Sequence, residues 1–184
     1  SARALAPRFG GTSLFYLSGQ GAGDGLWRFE DDNPSAIRNA ANNSLSEPPA
    51  VSRDGTRVAV VARQEGKLRL LIMSDDGTNV RTVAPSLTIH GSGGQGSADW
   101  SPDGQQLVFT SERDGDPEIY LMRADGSDIR RLTHAPGRDW DPVWSPDGTR
   151  IAFMSERDGN WEIYAIALDS AVTSLSARSR PMAA

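Results

Sequence analysis

Three stretches of this 184-residue chain carry residue types that could do chemistry. Gly91-Ser92-Gly93-Gly94-Gln95-Gly96 has the G-x-G-x-x-G spacing with which a backbone closes on a dinucleotide pyrophosphate. Asp114, Asp116 and Glu118 set carboxylate oxygens at alternate positions, a ligand type that calcium takes from tight loops. Arg138-Asp139-Trp140-Asp141, just after His134, places an aromatic ring between charges; Trp and Arg are the residues that most often carry interface binding energy. His90 and His134 are the only histidines.

Each stretch has a plainer reading. The dinucleotide fingerprint needs a strand before it and a helix after it, whereas here Trp100-Ser101-Pro102-Asp103-Gly104 follows almost at once, so a loop is expected. A second copy of the acidic stretch, at Asp158, carries Asn160 and Trp161 in the intermediate places, which favours a turn with solvated acids over a calcium site at Asp114, Asp116 and Glu118. The chain has no G-x-S-x-G or H-E-x-x-H, and both histidines fall in connecting segments. A binding module without catalytic residues, metal or cofactor is the expectation.

What positions these residues is a repeat. Residues 98–125 return as 142–169 at a constant offset of 44, with 15 of 28 positions identical, which is too close for chance and marks stacked supersecondary units. Trp100, Phe109 and Tyr120 reappear as Trp144, Phe153 and Tyr164; such recurring aromatics are core by default and are expected to be buried. A drifted copy starts at Val51, and a weaker one lies upstream from Ala6. Within each unit Ser-x-Asp-Gly makes a tight reversal: Pro presets φ at the second position, Asp bonds neighbouring backbone and Gly tolerates the last. Asp114-Gly115 and Asp125-Gly126 supply two more reversals, giving four short antiparallel strands. The middle strands are apolar on both faces (Leu70 to Met73, Ile151 to Met154), so each sheet needs cover on both sides.

The fold class expected is therefore all-β: a β-propeller of four-stranded blades over residues 1–184, with blades near 6–46, 47–97, 98–141 and 142–176 and a mobile tail at 177–184. Connectors are expected at 31–48, 84–97 and 134–142. Ser-Ala-Arg-Ala-Leu-Ala-Pro at the start reads as an opening strand. The first unit is degenerate and the tail is not strand-like, so no closing strand is visible. Four blades would then leave open faces, to be met by further blades or by a second chain.

The Trp-Ser-Pro-Asp-Gly … Ser-x-Arg-Asp-Gly … Ile-Tyr pattern resembles the TolB-like β-propeller repeat family, strongly in the last two units. The resemblance implies a scaffold with a protein or peptide partner at the channel mouth and residence in the bacterial envelope, periplasmic or otherwise extracytoplasmic. Similar repeats also form the gating propellers of prolyl oligopeptidase-type peptidases and sensor domains of kinases or regulators. In a propeller the inter-blade connectors and the second-to-third-strand turns share one face. Arg138, Asp139, Trp140, Asp141, His134, His90 and Asp99 are thus expected around that mouth, with Trp140 either offered to a partner or packed under the next blade. Arg113 and Arg157 recur with acids beside them and are expected in inter-blade ion pairs.

Composition narrows the partners further. A net charge of −5 and a pI near 5.0 disfavour nucleic acid, and no run of 18 apolar residues is present to span a membrane as a helix. The absence of cysteine rules out disulfides and thiolate metal sites and fits either redox compartment.

Overall fold

The computed structural model describes residues 4–18, 25–39, 45, 48–64, 67–83, 98–168 and 179–181. They form four four-stranded antiparallel sheets with the chain running strand by strand across each. The first holds β1 (Ala4–Gly10), β2 (Ser13–Ser18), β3 (Gly25–Glu30) and β4 (Asn33–Asn39). The second holds β5 (Ala50–Val51), β6 (Arg57–Gln64), β7 (Lys67–Ser74) and β8 (Arg81–Val83). The third holds β9 (Ala98–Trp100), β10 (Gln106–Ser111), β11 (Glu118–Arg123) and β12 (Arg130–Arg131). The fourth holds β13 (Asp139–Trp144), β14 (Arg150–Ser155), β15 (Glu162–Ala167) and β16 (Ser179–Pro181). No helix occurs among the described residues.

The Ser-x-Asp-Gly turn is one structure used three times. Ser52, Ser101 and Ser145 donate their hydroxyls to Asp54, Asp103 and Asp147 at 2.5–2.6 Å, and each Gly nitrogen returns to the Ser carbonyl at 2.8–2.9 Å. The same carboxylates accept the backbone nitrogens of Thr56, Gln105 and Thr149 at 3.0–3.1 Å. Arg53 replaces Pro without changing the turn, because the Asp and Gly make its bonds. Gly55 is obligatory: φ is 77°, and a Cβ there would lie 2.5 Å from the Gly10 carbonyl oxygen of the first sheet.

Alternation along each strand sends one set of side chains back and one set forward. Phe15, Leu17 and Leu26 of the first sheet close on Val58, Val60, Leu71 and Met73 of the second. Val61, Leu70 and Ile72 then close on Leu107, Phe109, Tyr120 and Met122 of the third. Val108, Ile119 and Leu121 close in turn on Ile151, Phe153, Tyr164 and Ile166 of the fourth. The Trp100 indole N–H donates to the Ala50 carbonyl at 3.2 Å across the second gap. The first strands β1, β5, β9 and β13 neighbour one another in sequence, which puts them on the inner edge of the stack, as in propeller blades.

Five of the six recurrent aromatics are buried; Trp144 is half-buried. Trp144 packs at the margin of the cluster between the third and fourth sheets; the fourth sheet has no described neighbour beyond it. Among the described residues no core cluster joins the fourth sheet to the first. Their outer faces show Phe9 (77% exposed), Ile163 (58%), Val143 (52%) and Trp161 (46%). The four blades form an open arc of a propeller.

Several boundaries move relative to the sequence reading. Residues 33–39, expected in a connector, form β4 after a two-residue turn whose Asp31 and Asp32 both have positive φ (49° and 59°). Asp139, Trp140 and Asp141 belong to the first strand of the fourth sheet, which thus begins before residue 142. Ser179–Pro181, read as tail, pairs with Tyr164 to Ile166. These segments lack apolar alternation, their pairing being made by backbone, and β16 with its Pro181 lies at an edge of its sheet, where Pro is tolerated. The Gly-rich segment from Gly91 to Gly96 and His90 lie outside the described residues.

Candidate functional site

Every blade runs its first strand from the connector face to the Ser-x-Asp-Gly face, so the connectors and the β10–β11 and β14–β15 turns gather on one side. Arg138, Asp139, Trp140 and Asp141 stand there at the start of β13. Asp141 has φ 51° and sits in a bulge between Trp140 and Val143. The bulge lets Trp140 pair with Met154 while Val143 returns to register with Ala152.

Asp139 is the foundation of this corner. It is 1% exposed, and both carboxylate oxygens accept from Arg157 Nη2, at 3.0 and 3.3 Å. Its backbone nitrogen donates to the Pro117 carbonyl of the third blade at 2.9 Å. Arg157 Nε donates to Ser155 Oγ at 2.8 Å, and its guanidinium lies over the rings of Tyr164 (4.3 Å) and Phe153 (5.3 Å). The Tyr164 hydroxyl donates to Asp158, which with desolvation pushes its pKa up to about 12. The Arg157 ion pair therefore lies within the fourth blade and not between blades: Asp139 belongs to the same sheet. Arg113, the equivalent residue, is exposed and lies 3.5 Å from its neighbour Asp114.

On that base stands an aromatic pair. Trp140 is half-buried and meets Trp161 edge to face, with ring centroids 6.0 Å apart and planes at 74°. Trp161 belongs to the β14–β15 turn of the same blade, so Trp140 packs on its own sheet. Arg138, the residue before Asp139, is exposed with its Nε 3.9 Å from Glu156, and His134 is exposed in the preceding connector.

Asp99 is not in this group. It lies on β9 of the inner edge and accepts the Trp144 backbone N–H at 2.8 Å, at the far end of β13, on the order of 10 Å along the strand from Trp140. Burial raises its pKa, against the hydrogen bonds it accepts. The acidic stretch also divides. Asp114 accepts the Tyr120 hydroxyl at 2.6 Å and Asp116 is exposed, but Glu118 is buried at 2% exposure, where it accepts from Arg131 Nη2 and the Thr133 hydroxyl. Glu118 is thus not a solvated turn acid: strand alternation carries it inward with Tyr120 and Met122. Desolvation raises its pKa. Among the described residues no three of His, Asp and Glu converge as a metal ion would need. The Glu118–Arg131–Thr133 group was invisible in sequence, since Arg131 looks like an edge charge until the register opposes it to Tyr120.

Comparison with known proteins agrees with this architecture. The chain is 33% identical over 127 residues to the protein TolB homolog of Chlorobaculum tepidum, covering 69% of this chain and 28% of that protein. It is 35% identical over 90 residues to the uncharacterized peptidase YuxL of Bacillus subtilis, covering 48% of this chain and 14% of the other. The chain thus spans less than a third of the length of these curated relatives. The fold resembles the crystal structure of TolB from Acinetobacter baumannii with a TM-score of 0.76 at 20% identity, over 93% of this chain and 42% of that one. The profile of the TolB beta propeller domain matches residues 78–180, more than half of the chain, and the chain belongs to that family.

Proposed function

We propose that this chain is the partner-binding part of a TolB-like propeller, a non-catalytic scaffold that takes a protein or peptide at its connector face. The observation that carries this reading is the Trp140–Trp161 pair. Two indoles stand partly exposed on a corner made rigid by the buried Asp139–Arg157 bond, with Arg138 and Asp141 on the same strand start and His134 in the connector that leads to it. Repeated residues serve the repeat, whereas residues that break it in loops and strand ends are free to serve a ligand. Within this group Asp139 is consumed by structure. Asp99 serves the inner edge, and His90 is assigned to the same mouth on its connector position alone.

In this reading residues 1–184 act as one propeller unit in an extracytoplasmic compartment of the bacterial envelope, and the open outer faces of the first and fourth sheets, apart from the Trp140–Trp161 corner at the connector end, receive further blades or a second copy. The test is selection of displayed peptides against the immobilised chain. Selected peptides are expected to lose at least about tenfold in affinity on Trp140→Ala, the scale of an interface hot spot, and to keep it on Thr149→Ala at the opposite face. Peptides indifferent to Trp140→Ala would refute the assignment.

A second reading, a gating propeller beside a peptidase domain, is favoured by the similarity to YuxL. It expects an α/β-hydrolase sequence after residue 184 in the full reading frame, and peptide hydrolysis by the full-length protein that the isolated chain lacks.

A further inference from the structure

The face opposite the connectors holds a cleft that the repeat does not explain. It lies between the second and third blades, has a volume of about 580 Å³, and is lined by Arg57, Arg81, Arg123, Gln105, Gln106 and Asp103, among others. A second hollow of about 440 Å³ shares Arg57 and Arg81 and continues over Ile72, Met73, Asn79 and Val80. Val80 is 39% exposed. Three arginines from three strands thus line one cleft, with Val80 exposed beside them and Ile72 and Met73 buried beneath.

Those guanidinium groups are lightly used. Arg57 donates to the Gly104 carbonyl and lies over the Trp100 ring at 6.0 Å, which fixes its position. Arg81 reaches the Ala124 carbonyl only at 3.5 Å. Arg123 stands 3.7 Å from Asp128 with 65% of its side chain exposed. Each guanidinium has five N–H donors, so most remain for a ligand. The acids in the wall are held by their own turns: Asp103 by Ser101 and the Gln105 nitrogen, Asp125 by the Ser127 hydroxyl and nitrogen.

The neighbouring gap shows what the repeat alone provides. At the offset of 44 from the third blade to the fourth, and 49 from the second to the third, Arg57, Arg81 and Arg123 become Gln106, Arg130 and Ala167. Arg130 is clamped on Asp128 by Nε at 2.8 Å and by Nη2. The arginine trio does not recur in the neighbouring gap, which favours a ligand requirement over a blade requirement.

We propose that this cleft binds a peptide carboxylate, with Arg57, Arg81 and Arg123 holding the anion by charge-assisted hydrogen bonds and the exposed Val80 beside them offering a contact to an adjacent apolar side chain. The carboxylate is either a chain terminus or an Asp or Glu side chain; both present the same planar pair of oxygens to a guanidinium fork. The site is on the other face from Trp140, so it stands or falls independently of the function proposed above.

Fluorescence anisotropy of the whole 184-residue chain tests it. The probe is a fluorescein-labelled hexapeptide ending in Glu-Leu with a free terminus, compared with its C-terminal amide, with the amide carrying Gln for Glu, and with inorganic phosphate as competitor. The free acid, the amide or both should bind, and the neutral amide should not; which of the first two binds identifies the carboxylate source. Arg81→Gln and Arg123→Gln should each weaken binding by about fivefold, as expected for a part-exposed ion pair, with Tm unchanged, and salt should weaken it further. Trp140→Ala should have no effect. Binding of the neutral peptide equal to that of the acids, insensitivity to the Arg81→Gln/Arg123→Gln double change, or displacement by phosphate at the peptide's own concentration would each overturn the proposal.

Discussion

Ile119 and Ile163 occupy the same place in consecutive blades, yet Ile119 is 0% exposed and Ile163 58%. The difference is wholly one of cover. Ile119 projects forward into the cluster with Ile151, Phe153 and Tyr164, while Ile163 projects forward from the last described sheet. Replacing Ile119 by Ala removes buried methyl groups and leaves a cavity between two sheets, a loss of about 2–5 kcal/mol. At Ile163 less than half the surface is covered and solvent fills the space left, so Ala costs about 1 kcal/mol or less. With a urea m-value of about 2 kcal/mol/M, the two midpoints should separate by roughly 0.5 M or more, Ile119→Ala being the lower. Urea unfolding followed by tryptophan fluorescence at two protein concentrations measures this. Equal losses at the two sites would refute the open arc: concentration-independent equality means the fourth face is sealed within the chain, and concentration-dependent equality means a second copy seals it.

Arg157→Met strands the buried Asp139 carboxylate and should cost about 3–5 kcal/mol in urea unfolding, against which a loss below about 1 kcal/mol would show the pair to be dispensable. The turn carboxylates Asp54, Asp103 and Asp147 are held below the ordinary value by Ser hydroxyl bonds, Asp147 at about 2. Because the unfolded chain then binds more protons, their stabilisation is complete above about pH 4 and is lost as pH falls towards 2; Asp147→Asn should flatten that limb of the Tm curve. Glu118 runs the other way: its raised pKa makes its contribution greatest in acid and smaller as pH rises through the folded value, so Glu118→Gln should reduce the fall in Tm over that range. Gly55→Ala should lower Tm clearly, since its Cβ would meet backbone of the first sheet, whereas Gly115→Ala has φ 118° but no atom within 4 Å and should cost only the strain of that conformation. Equal Tm losses at the two glycines would disprove the inter-blade contact.

Much of the fold is local and was legible in the residues. A Ser, an Asp and a Gly at fixed spacing close a turn through bonds among themselves, so Ser101 to Gly104 and Ser145 to Gly148 could be placed before any contact between distant segments was known. The repeat of Phe109 and Tyr120 as Phe153 and Tyr164 fixed what is stacked, because identical apolar positions in successive sheets can only be the surfaces that meet. Sequence also marked Arg138–Asp141 as a break in the repeat. It could not say that Asp139 is buried and Trp140 partly open, since that turns on a one-residue bulge and on Arg157 reaching back across the sheet. Nor could it place β4 and β16, whose pairing is written in backbone hydrogen bonds that almost any side chain permits. Tertiary structure alone carried Glu118 inward to Arg131 and brought Arg57, Arg81 and Arg123 to one cleft. Those residues are 13 to 66 positions apart along the chain, and only the stacking of one blade on the next sets their distances.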